Sequence, residues 1–116
     1  MAKFDALGEF EQTVLLAIVH VGQGAYGVTI REEIERRTGR EVSVGALYTA
    51  FDRLERKGYV RSTISDPTPQ RGGRAKRFIS VTAAGLAALR RSRELLDRMW
   101  AGIPASRLKP VKGGPS

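Results

Sequence analysis

The sequence predicts an α+β, mostly helical fold: three helices, a β-hairpin and a long fourth helix. Three observations predict it. Apolar residues recur at helical spacing in four segments, each bounded by a capping residue or a glycine. Two short runs rich in β-branched and aromatic residues, 59–64 and 77–82, flank a stretch of prolines and glycines. The chain has 116 residues, which suits one compact domain with a single small core.

The first helix is expected over Leu7 to Val21. Leu7, Phe10, Val14, Ala17 and Val21 form one stripe, and Leu15, Leu16 and Ile18 fill its flanks, so burial on several sides is expected. Gly22 and Gly24 stop it. A short second helix follows, with Thr29 and Glu32 at capping-box spacing, Ile30 and Ile34 as its buried edge, and Thr38-Gly39 as its end. Ser43 is a good N-cap for a third helix that runs to Lys57 and stops at Gly58. At 100° per residue, Val44, Leu47, Ala50, Phe51 and Leu54 gather on its core side. Gly45, Thr49, Asp52, Arg53 and Arg56 lie opposite, with Ala46 and Tyr48 on the borders. The start of that outer face is small and uncharged, which lets the backbone approach something closely. The hairpin tip, 65–76, holds two prolines, a Gly-Gly pair and three basic side chains, and Arg77 adds a fourth. The fourth helix begins at its N-cap Thr82 and ends before Gly102. Leu86, Leu89, Arg93, Leu96, Trp100 and Ile103 form a heptad-like stripe, widened by Leu95 and Met99. So small a domain cannot readily bury that stripe alone, and a second copy is the economical cover.

Charge is unevenly distributed. The chain carries 20 Lys+Arg against 12 Asp+Glu, a formal net charge of +8. Residues 1–58 hold eight basic and nine acidic side chains, residues 59–90 six and one, and residues 91–116 six and two. A near-neutral first half joined to a basic second half implies a localised positive face that attracts polyanions. Other chemistry is excluded. There is no cysteine, so disulfides, thiolate metal sites and cysteine nucleophiles are absent. The single histidine, His20, cannot make a multi-histidine site, and the Gly-Gly pair lacks the lysine and helix of a phosphate-binding loop. No segment approaches the roughly 20 apolar residues of a membrane span. Met1 to Asp5 does not read as the start of a signal peptide, and a cytoplasmic protein is expected.

Helix, short helix, turn, helix and hairpin is the order of a winged helix-turn-helix. A lean third helix can enter a major groove about 12 Å wide, while the hairpin lays its basic loop along the backbone or into the minor groove. Residues 1–82 are expected to form this unit, 83–103 a C-terminal dimerisation helix, and 104–116 a disordered basic tail.

The residues themselves resemble the PadR family of bacterial winged-helix transcriptional regulators. Leu7-Gly8-Glu9-Phe10-Glu11 with Val14 to Ile18, then Ala25-Tyr26-Gly27-Val28, carry the resemblance in the first half. It continues through Val42-Ser43-Val44-Gly45-Ala46-Leu47-Tyr48, Leu54-Glu55-Arg56-Lys57-Gly58, Arg71 to Phe78, and Val81-Thr82-Ala83-Ala84-Gly85. Each motif alone is weak; the ordered set, spanning about residues 7–90, is fairly specific. The resemblance implies a homodimeric repressor that contacts double-stranded DNA with the third helix and the wing, without a cofactor. It makes Ser43, Gly45, Tyr48, Thr49 and Arg53 candidates on the recognition helix, and Arg71, Arg74, Lys76 and Arg77 candidates on the wing. Tyr26 is expected to pack around the second helix. Phe51 stands where the family often has Leu, a change that repacks the core. With one substantial C-terminal helix, the dimer contact is expected from that helix and the first: Leu7, Phe10, Leu89, Leu96, Met99, Trp100 and Ile103. Some family members hold flat aromatic effectors between subunits, so Trp100 either lines such a site or packs into the seam.

Plainer readings stand beside these. Tyr48 can be a border residue half packed on the core, Ser43 a helix cap and the wing a solvated loop. A winged helix used only for protein contacts is the rival function, and exposed Asp52 on the third helix favours it. An enzyme is rejected, because no nucleophile–histidine pair is recognisable and the carboxylates fall on solvent faces.

Overall fold

The computed structural model describes residues 7–65 and 76–110. The order is α1 (Glu9–Val21), α2 (Gly27–Thr38), α3 (Val44–Arg56), β1 (Val60–Ile64), β2 (Arg77–Val81) and α4 (Ala83–Trp100). The expected α+β, mostly helical architecture is therefore present. Helices α1, α2 and α3 enclose a core whose largest fully buried side chains are Phe51, Leu15, Ile30, Ile34, Leu47, Leu54 and Val14. Each such side chain contributes about 1.5–3 kcal/mol relative to exposure, so this group is the principal source of stability.

The hairpin is antiparallel, with Val60 opposite Val81 and Ile64 opposite Arg77. A third piece of extended chain lies beside it. Tyr26 bridges to Phe78, and the Ile79 amide donates to the Ala25 carbonyl at 2.8 Å. The residues that lead into α2 thereby tie the helix-turn-helix to the base of the wing.

Local chemistry explains most boundaries and corrects one. Ser43 caps α3 by accepting from the Ala46 amide at 3.1 Å, and Thr82 caps α4 by accepting from the Gly85 amide at 3.1 Å. The N-cap of α2 is Tyr26, three residues before the expected Thr29. Thr29 lies in the first turn instead, where its hydroxyl accepts from the Tyr26 amide and donates to the Tyr26 carbonyl, both at 3.1 Å. Gly39 ends α2 in the left-handed region at φ 70°, which costs a glycine little. On the outer side of α2, Glu33 receives Arg36 and Arg37, whose hydrogen bonds hold its carboxyl below the usual carboxylate range.

α1 is less enclosed than expected. Val14, Leu15, Ala17 and Ile18 are buried, but Leu16 and Val19 face outward. α4 is anchored only by its first half, through Gly85, Ala88 and Ser92; every residue from Arg93 to Trp100 is exposed. Its start is bolted to the α3–β1 junction. The Thr82 amide donates to the Tyr59 carbonyl at 3.0 Å, and the Thr82 hydroxyl to the Gly58 carbonyl at 2.6 Å. The expected tail also holds some structure, because Ala105–Leu108 makes an exposed 3₁₀ turn.

Candidate nucleic-acid interface

The first two turns of α3 present a smooth face. Ser43, Val44, Gly45, Ala46, Tyr48 and Thr49 are all exposed, and none is charged. A Cβ on Gly45 would meet no atom within 4 Å, so the backbone itself forms the surface there. Val44 departs from its expected place on the core side and is 53% exposed. Val42, just before the cap, is the valine buried in the core at this end of the helix. Arg53 follows one turn beyond Thr49, exposed, and makes no ion pair among the described residues.

Tyr48 combines its two readings. Its ring meets Phe51 edge-on at 5.3 Å between centroids, while its outer side stays in solvent. Its hydroxyl lies over the start of α2, where a Cβ on Gly27 would be 2.7 Å away. Gly27 is thus the seat of Tyr48, a role the sequence signalled only through the small residue after Tyr26.

Carboxylates border this face, and cations answer them. Glu9 pairs with Arg40 at 2.9 Å and Glu11 with Lys57 at 3.1 Å. Asp52, the acid that favoured a protein-contact role, pairs with Arg77 at 3.2 Å. The observation behind the rival reading is therefore largely neutralised.

On the wing, Arg71 and Arg74 lie outside the described residues. Lys76 is exposed, with Nζ 4.5 Å from the centre of the Tyr26 ring, a cation–π contact that aims the ammonium across the α2 side of the wing. Tyr26 in turn stands edge-on to Phe78 at 6.1 Å. Arg77 does not stand free: its side chain is 22% exposed and turned inward onto α3.

The expected dimer residues divide. Leu96, Met99 and Trp100 are exposed along the outer half of α4, Met99 at 72% and Trp100 at 58%, and Ile103 is exposed just past its end. Leu89 is partly buried against the protomer's own core. Leu7 is 7% exposed and belongs to that core, and Phe10 packs on it beneath the Arg40 guanidinium. The correction has a simple cause. The stripe from Leu7 to Val21 faces the protomer's interior, so Leu7 is covered without a partner and Phe10 is covered in part. Leu16 and Val19, on the outward side of α1, border α4 instead. With Leu86, Leu96 and Trp100 they line a groove of about 520 Å³ rimmed by Arg90, Arg93 and Asp97. Among the described residues no group of His, Cys, Asp or Glu is placed to hold a metal ion, and no helix is long and apolar enough to cross a membrane.

Three helices, with a hairpin pinned beside the third, define a winged helix-turn-helix. The chain belongs to the PadR-like family of transcriptional regulators, whose sequence profile matches residues 15–91. That is a family of regulators rather than of enzymes. Similar solved structures include a PadR-like transcription factor from Bacteroides fragilis (16% identity, TM-score 0.69, covering 86% of this chain and 89% of that one). F93 from STIV, a winged-helix DNA-binding protein, is similar at 18% identity and TM-score 0.64, covering 86% of this chain and all of that one. The hsRosR-S4 complex, of the Halobacterium salinarum protein RosR, matches at 25% identity and TM-score 0.65, covering 88% and 81%. No curated protein matches the chain.

Proposed function

We propose that this protein is a homodimeric repressor that binds a pseudo-palindromic operator, with α3 in the major groove and the wing along the backbone. The observation that carries the reading is the uncharged, exposed start of α3, beside which Glu9, Glu11 and Asp52 are each already paired. Such a surface approaches base edges without like-charge repulsion. Tyr48 and Thr49 offer hydroxyls, and Thr49 and Val44 offer methyl groups to thymine. Ser43, Gly45 and Arg53 border the same face, Ser43 and Arg53 within reach of phosphates. Arg71, Arg74 and Lys76 supply wing charge, which raises affinity without reading sequence.

A second copy covers the outer half of α4 together with Leu16 and Val19. Two α3 helices related by that dyad would address half-sites roughly 34–36 Å apart. An aromatic effector is the alternative occupant of the groove beside Trp100. The chain has one tryptophan, so quenching of its emission by planar ligands reports that occupancy directly.

The test is selection from a pool of genomic DNA fragments at two salt concentrations. Enrichment of one pseudo-palindrome that survives the higher salt supports the reading. Weak binding without a consensus, lost as salt rises, overturns it in favour of a protein-contact domain with only generic affinity for polyanions.

A further inference from the structure

Arg77 opens β2 opposite Ile64, at the tip end of the strand pair, where a basic side chain is expected to reach a phosphate. Each of its three guanidinium nitrogens instead has a partner within the domain. Nη1 lies 3.2 Å from Asp52 Oδ1, Nη2 donates to Glu55 Oε1 at 2.8 Å, and Nε donates to Ser62 Oγ at 3.0 Å. The Ser62 hydroxyl donates to the same Glu55 oxygen at 3.0 Å, and the guanidinium stands 5.8 Å from the centre of the Phe51 ring. One planar fork therefore joins β2 to β1 and to the outer side of α3.

We propose that Arg77 is a positioning residue, not a phosphate contact: it fixes the wing against the recognition helix and neutralises the two carboxylates of α3. The inference rests on the DNA-binding reading above. Asp52 and Glu55 are the acidic residues of α3 and follow directly on its reading face. Left unpaired, they would stand beside the phosphates that flank a groove-bound helix and oppose binding. Arginine is the side chain suited to this task, because its rigid fork serves two carboxylates and a hydroxyl at once, whereas a lysine offers a single point charge. The arrangement also accounts for exposed acids on a DNA-reading helix, since their cation arrives from the wing.

The test is a double-mutant cycle read in operator affinity. Arg77→Gln is compared in the wild-type background and in Asp52→Asn/Glu55→Gln, with circular dichroism to confirm folding. In the wild-type background Arg77→Gln should weaken binding roughly tenfold or more; in the neutralised background the same change should cost at most about twofold, the coupling expected of groups in contact. An equal loss in both backgrounds overturns the proposal and makes Arg77 a direct contact. Arg77→Lys keeps the charge and serves if Arg77→Gln does not fold; it should lose affinity in the wild-type background only. Amide exchange in the DNA-free protein gives a separate readout, with faster exchange in β1 and β2 and unchanged exchange in α2 expected for Arg77→Gln. Unchanged exchange in the strands overturns the clamp. If the wild-type protein binds no duplex, the DNA-binding reading falls together with Arg77's part in it, while exchange still decides whether the wing is held this way.

Discussion

Gly85→Ala tests whether the seat of α4 is set by backbone contact. A glycine in a helix ordinarily gains about 0.5–1 kcal/mol of stability on replacement by alanine. Here the added Cβ would stand 2.3 Å from the Tyr59 carbonyl oxygen and 2.8 Å from Val81 Cγ1. The nearest obstacle is backbone, so it cannot rotate away. α4 must lift from the α3–β1 junction, and overpacking of this kind costs about 1–3 kcal/mol. Lifting also breaks the two Thr82 bonds to Tyr59 and Gly58, at about 0.5–1.5 kcal/mol each. After the gain in helix propensity is subtracted, the net loss is about 1–5 kcal/mol, with a central value near 3.

For a domain of this size each kcal/mol moves the melting temperature by about 4–8 °C, so the central value predicts a fall of roughly 10–25 °C. Thermal and urea denaturation followed by circular dichroism measure it, at one fixed protein concentration because association adds to apparent stability. The functional consequence is separable. In the proposed dimer α4 carries the contact stripe, so a tilted α4 should reduce affinity for a two-half-site operator more than for an isolated half-site. A Gly85→Ala protein as stable as the wild type, or more so, would refute the packing argument outright.

Other expectations follow from the same geometry. Leu96→Lys places a charge in the middle of the exposed α4 stripe and should shift sedimentation toward monomers; an unchanged dimer would move the seam elsewhere. Replacing the operator thymine nearest Val44 by uracil should weaken binding about fourfold, the worth of one buried methyl group, in the wild type but not in Val44→Ala. Equal sensitivity of both proteins in a titration would remove Val44 from the reading face. Lys76→Ala should lower the slope of log affinity against log salt by about 0.9 without changing preference between operators, whereas an altered preference at constant slope would make Lys76 a base contact.

What the sequence disclosed and what it withheld follow from the range of each interaction. Helical periodicity, the caps at Ser43 and Thr82, and the stops at Gly39 and Gly58 depend on residues within a turn of one another, and the structure holds them nearly where the spacing put them. The start of α2 was missed because a Thr and a Glu three apart imitate a capping box, whereas Thr29 serves the Tyr26 backbone from inside the first turn. The failures that bear on function involve partners far apart in the chain. Nothing within a turn of Arg77 reveals that its fork is taken by Asp52 and Glu55, 25 and 22 residues earlier. Nothing near Leu7 shows that it closes the core rather than a dimer seam, since an apolar stripe is equally suited to either cover. Leu16 and Val19 invert that case: surrounded by core residues in sequence, they are left outside because α4 borders them only at the groove's edge. Side-chain type predicts what a surface can do, and tertiary placement decides which charges and apolar faces are still free to do it. Among the described residues the neutral start of α3, Lys76 over Tyr26 and the outer half of α4 stay exposed, and the mutations at Val44, Lys76 and Leu96 act on those three places separately.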